Sequence, residues 1–224
     1  MAVKYNDEVL DLALNQCGSS DEDERKKGAR VLRRSSCLEL GTKNTLTVMR
    51  WFISHTDELV QTIRQEDKND ILWEYIYALH SFCNRYIRLA HLVKNTDEIM
   101  DSARRVYFEE QIKLLIEEYV RSEDMKVLIA TASFLWGYRD RRAWDMFAKV
   151  LDKKRDALTL SHIEVAISVL HREVMSGGCV RDLIGEEQEV QLCDRLCFIA
   201  DRKAKSERRC REMIAMLKEV GSCI

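Results

Sequence analysis

The 224-residue chain contains no proline and only 8 glycines. Ordinary usage, roughly 5% proline and 7% glycine, would give about 11 and 16. A β-sandwich or α/β enzyme of this length draws on more turn residues than that. Collagenous, mucin-like and proline-rich classes are excluded. Long hydrophobic runs are missing too, since none approaches the ~18 residues needed to span a bilayer. The most apolar stretch, Val127 to Trp136, runs straight into Gly137-Tyr138-Arg139-Asp140. At the N-terminus, Met1-Ala2-Val3-Lys4-Tyr5-Asn6-Asp7-Glu8 turns acidic where a secretory or transit signal would be apolar or basic. An intracellular protein, cytoplasmic or nuclear, is expected.

Catalytic signatures are also scarce. The five histidines (His55, His80, His91, His162, His171) stand in no HExxH context, and there is no CxxC, Gly-x-Ser-x-Gly or glycine-rich phosphate loop. The expectation is a non-enzymatic protein with no cofactor. Eight cysteines are present, but a large helical core needs no disulfide staples, so reduced, structural thiols are expected. Cys193 and Cys197 lie one helical turn apart and Cys210 follows, yet a zinc site would need a fourth ligand. Buried thiols are the simpler reading.

What the chain does have is 46% hydrophobic and 33% charged residues, the balance of a soluble folded protein. Helix-start signals recur along it: Asn6-Asp7-Glu8, Ser20 to Glu24, Asn44 or Thr45, Thr56-Asp57-Glu58, Asn69 or Asp70, Thr96-Asp97-Glu98 and Ser122-Glu123-Asp124. After Asn69 the residues Ile71, Leu72, Tyr75, Ile76, Leu79, Phe82 and Cys83 keep steps of three and four towards Val93, a buried helical stripe. A break is expected near Arg105. Ten to eleven helices are expected in all, giving an all-α fold.

Several helices share an echo, a small residue leading to a bulky apolar residue and leucine: Gly28 to Leu32, Thr131 to Leu135 and Ala166 to Leu170, with Tyr75 to Leu79 a looser version. Acid-rich turns such as Ser19-Ser20-Asp21-Glu22 and Arg121-Ser122-Glu123-Asp124 precede them. In this the chain resembles the armadillo/HEAT-like helical-repeat proteins, over residues 5–176. The resemblance implies an irregular solenoid that binds partners along one face, a non-repetitive helical bundle being the alternative. The expected organisation is a repeat array over 1–176, a loop at 177–185 and a C-terminal helical pair at 186–224 that caps the array.

Charge is strongly segregated. Residues 1–24 hold one base and seven acids, and residues 25–50 hold eight bases and one acid. Lys26, Lys27, Arg30, Arg33 and Arg34 fall at helical steps and form a cationic face, which suits an acidic peptide or helix, or phosphates. Arg139, Arg141 and Arg142 interleave with Tyr138 and Trp144. These either stack on and pair with nucleic acid or mark a turn between helices that bury Trp136 and Trp144. A third basic group lies at 202–211, with Arg208 and Arg209 at its centre. The Trp73-Tyr75-Tyr77 triplet reads as core, although a one-sided Tyr/Trp/Arg ridge has the composition of a binding hot spot. The functional expectation is a protein-binding adaptor or scaffold, with an RNA- or DNA-binding helical protein as the alternative. Membrane binding is not expected, and the oligomeric state is open.

Overall fold

A computed structural model describes residues 5–37, 42–83 and 102–152, together with 185, 187–188, 190–191, 211–212 and 215. Eight helices and no strand occur among the described residues, so the fold is all-α. They are α1 (Asp7–Cys17), α2 (Glu22–Cys37), α3 (Thr42–Ser54), α4 (Thr56–Gln65), α5 (Asn69–Phe82), α6 (Ser102–Glu117), α7 (Met125–Gly137) and α8 (Arg142–Asp152). The chain divides into two compact units, Met1–Phe134 and Leu135–Ile224, the division falling within α7. No helix among the described residues is long and apolar enough to cross a membrane.

In the first unit α2 packs on both α1 and α5. Gly28 makes the α1–α2 approach possible: a Cβ there would lie 2.4 Å from the Ala13 carbonyl oxygen and 2.8 Å from Cys17 Sγ. Only a residue with no side chain lets the backbones come this close. Leu32 of α2 and Leu79 of α5, two of the echo positions, are both buried. Around them Phe52 of α3 stacks on Phe82 of α5 with ring centroids 4.5 Å apart, and Phe108 of α6 meets Phe82 edge-on at 5.2 Å. These geometries suit the ring quadrupoles, and the three rings tie three helices into one core. Ion pairs and hydrogen bonds fasten its rim. Arg64 of α4 pairs with Glu118 at 2.6 Å, Tyr107 of α6 donates to Asp57 of α4, and Lys126 pairs with Asp70.

Two of the acid-rich turns share one hydrogen-bond pattern. Ser19 Oγ accepts from the Asp21 N–H at 3.1 Å, and Asp21 Oδ1 accepts from the N–H groups of Asp23 and Glu24. Likewise Ser122 Oγ accepts from the Asp124 N–H at 3.3 Å, and Asp124 Oδ1 accepts from those of Lys126 and Val127. The helix cap in each turn is therefore the aspartate, with the serine bracing it from two residues upstream. This corrects the assignment of Ser20 as a cap. Thr56 also differs from expectation, since its hydroxyl donates to the Ile53 carbonyl oxygen and caps nothing. Asn6 caps α1 as its position suggests, accepting from the Val9 N–H. No break occurs at Arg105, because α6 runs through it and arginine is a good helix former.

In the second unit, a tight turn leads out of α7 into α8. The N–H groups of Tyr138 and Asp140 both donate to the Leu135 carbonyl oxygen, and Arg139 takes a left-handed φ of 59°. Trp136 meets Phe147 of α8 edge-on at 5.7 Å, and Trp136 and Trp144 are buried. Gly185 has a φ of 90°, but the rest of the expected 177–185 loop lies outside the described residues. So do residues 153–176 of the expected array, with the Ala166 to Leu170 echo, and the greater part of the expected helical pair at 186–224.

Candidate interaction surface

The cationic face of α2 is built around one carboxylate. Glu74 of α5 lies almost wholly buried, and the guanidiniums of Arg30 and Arg33 reach it from α2, each through Nε. Lys26 adds a third positive charge within electrostatic range. Burial pushes the Glu74 carboxyl above the usual carboxylate range, and these three cations pull back only part of that rise. Glu74 is the only acid between Ile71 and Thr96. An isolated carboxylate inside an apolar helical stripe needs cations brought to it from another element.

Arg33 also lies over aromatic rings, 5.0 Å from the Trp73 centroid and 6.0 Å from that of Tyr77. Those two rings stack on each other, one helical turn apart, with centroids 5.5 Å apart and planes at 25°. Tyr75 alone of the triplet belongs to the core; Trp73 and Tyr77 are half-buried and form a ledge beside α2. The surface is thus a ridge in which Arg33 is gripped by Glu74, Trp73 and Tyr77. Along its solvent side run Lys27, Arg30 and Arg34, with the Lys27 side chain 62% and the Arg30 side chain 51% exposed. Lys27 also stands 3.5 Å from Glu24, a surface pair of small energetic weight.

Arg25, from the same basic run, has a different task. Its fork bonds Glu66 through Nε at 3.0 Å and Nη2 at 3.3 Å, while Nη1 donates to the Ser20 carbonyl oxygen at 3.2 Å. It thereby bolts the start of α2 to the α4–α5 connection, within a polar cleft of about 440 Å³.

The 139–142 group belongs to the second unit and is described by itself. Arg142, in the second unit, folds back on Asp140, with Nε 3.1 and 3.0 Å from its two oxygens and Nη2 2.6 Å from Oδ2. That pairing, first through these hydrogen bonds, holds Asp140 below the usual carboxylate range. Arg139 serves the turn backbone, and Arg141 is exposed. Here the turn reading of 138–144 describes the structure. Arg208 and Arg209 lie outside the described residues, as do Cys193, Cys197 and Cys210.

A second cleft, of about 290 Å³, is lined by Asp7, Asp11, Thr47, Arg50, Trp51, Ser54 and His55. Trp51 Nε1 donates to Asp11 Oδ1 at 2.6 Å, and the His55 ring stacks on Trp51 with its Nδ1 2.8 Å from the Trp51 carbonyl oxygen. Among the described residues no group of three or more His, Cys, Asp or Glu is placed to hold a metal ion. Glu74 was not anticipated as part of the site; its isolation among apolar residues was the signal that could have found it. No protein-family model matches the chain, and no curated protein matches it.

Proposed function

We propose that the protein is a non-enzymatic binding module, an adaptor whose α2–α5 ridge takes an acidic segment of a protein partner. One observation carries the reading: Arg33 is fixed between Glu74 and an aromatic ledge, while Lys27, Arg30 and Arg34 line the exposed side of the same helix. A pre-positioned guanidinium loses less freedom on binding, and arginine beside tryptophan and tyrosine is the usual make-up of an interaction hot spot. The arrangement of the helices supports an irregular armadillo/HEAT-like array as the scaffold. α2 packs on α5, three helices further along, as three-helix units stacked in register would have it. Leu32 and Leu79, the echo positions on these two helices, are buried at equivalent places in the motif.

Fluorescence anisotropy with a labelled glutamate-rich helical peptide tests the reading. Lys27→Glu, Arg30→Glu and Arg34→Glu are each expected to weaken binding by roughly 2–5-fold, the worth of one exposed charge pair, and by more when combined. Unchanged affinity in the triple variant overturns the reading. A single-stranded oligonucleotide titrated alongside tests the nucleic-acid alternative. Tighter binding of the oligonucleotide than of the peptide, with a steep salt dependence, would favour that alternative.

A further inference from the structure

The outward side of α1 is the counterpart of the ridge. Its exposed residues are Asp7, Glu8, Asp11, Leu12 and Asn15, three acids with no base, and Leu12 is 59% exposed. Along α2 the bases Lys27, Arg30 and Arg34 follow at steps of three and four residues, beside the half-buried rings of Trp73 and Tyr77. At about 1.5 Å rise per residue, the cations stand roughly 4.5 and 6 Å apart along the axis. The acids of α1, one turn apart at Asp7 or Glu8 and at Asp11, have the same spacing; Asp11 accepts from Trp51 Nε1 through one oxygen, and its side chain stays 52% exposed. Each face also sets an apolar group beside its charges, Leu12 on one and the Trp73–Tyr77 ledge on the other. Leu12 is an apolar side chain standing in water, and it gains by burial.

We infer that the occupant of the ridge is α1 of a second copy of this chain, docked acid row to basic row with Leu12 against the aromatic ledge. The inference rests on the reading of the ridge as a site for acidic segments, and it names the segment. Docked head to tail, one copy's α1 on the next copy's ridge, the contact is heterologous. Between them the two copies keep one free ridge and one free α1 face, and association proceeds beyond a dimer or closes into a ring. Opposite charges at a solvent-exposed interface make it sensitive to salt.

Sedimentation velocity over a hundredfold concentration range tests the inference. The wild-type chain is expected to rise from monomer mass to twice that mass or more at low ionic strength, and to return to monomer in about 0.5 M salt, where the screening length is only a few ångströms. Asp7→Asn/Glu8→Gln/Leu12→Ser disables only the α1 face, and Arg30→Gln/Arg34→Gln only the ridge. Each variant alone is expected to stay monomeric, with an unchanged circular dichroism spectrum showing that it folds. Mixed in equal amounts, the two keep one intact face of each kind and form a dimer that grows no further. A wild-type mass that stays at monomer throughout, association that survives in either variant, or a mixture that fails to dimerise would overturn the inference. The acidic-peptide titration separates the two readings. Peptide binding lost on Arg30→Gln/Arg34→Gln, in a chain that never self-associates, leaves the ridge as an acidic-segment site and removes only the second copy. Loss of both removes the ridge as well.

Discussion

Two basic groups in this chain look alike as strings of arginines and are built in opposite ways. At the 139–142 corner, Arg142 pairs with a carboxylate two residues away, and the contact forms within a single turn. At the ridge, Arg30 and Arg33 reach a carboxylate more than forty residues away in sequence, and that carboxylate is buried. The corner's ion pair secures a local bend. The ridge's ion pairs make a surface, because a buried acid on a second helix holds the cations in fixed places and brings aromatic rings beside them. On the proposed reading, a cluster of positive residues serves recognition where its counter-charge lies on another part of the fold.

The largest test of this contrast is Gly28→Ala. Any Cβ meets the Ala13 carbonyl, so α2 must shift off α1. Urea unfolding is expected to show a loss of about 2–3 kcal/mol, as overpacked sites give, with the ridge's peptide binding impaired. The corner depends on nothing so distant and should keep its Asp140 carboxyl shift in an NMR spectrum. Next is a pair of truncations. Arg33→Ala strips a principal partner from a buried carboxylate, though Arg30 and Lys26 remain, and should cost about 2 kcal/mol. Arg142→Ala breaks a pair open to water and should cost under about 1 kcal/mol. Equal losses would break the comparison.

Smaller, but of opposite sign in the two regions, is the response to pH. Glu74 binds its proton more tightly folded than unfolded, so its effect is a fall in stability as pH rises from the ordinary glutamate value to its own raised one. Asp140 binds its proton less tightly when folded. Its contribution is complete above the ordinary aspartate value and is lost as pH falls through its depressed one. Carboxyl NMR titration should place the Glu74 midpoint above the ordinary value and the Asp140 midpoint below. Midpoints displaced in the same direction would sink the contrast. The smallest effect is expected for Arg139→Gly, which relieves a left-handed backbone angle and should gain at most about 1 kcal/mol in thermal unfolding while leaving ridge binding unchanged.

Much of the helical plan could be read from periodicity and punctuation. The α1 cap at Asn6, the stripe along α5 and the buried tryptophans at 136 and 144 all follow from local pattern, because the forces that set them act within a few residues. The caps at Asp21 and Asp124 were misplaced by one or two positions, since serine and aspartate compete for the same N–H groups and only the backbone angles decide between them. The basic face of α2 was legible as a face. Its partners were not, because the union of α2 with Trp73, Glu74 and Tyr77 is a tertiary event that leaves only one local trace, a lone acid among apolar residues. Leu12 belongs to the same class, as its exposure depends on which side of α1 the rest of the unit covers.

The close seat of α1 against α2 has a consequence for chemistry in the test tube. Cys17 lies buried in that seam facing the Tyr75 hydroxyl, and its thiol is pushed up to about 11, mainly by burial. At neutral pH roughly one such sulfur in ten thousand is a thiolate, the form that alkylating reagents attack. Modification must therefore wait for the two helices to part, so the rate at which this sulfur takes up a reagent clocks how often the protein breathes at its first hairpin.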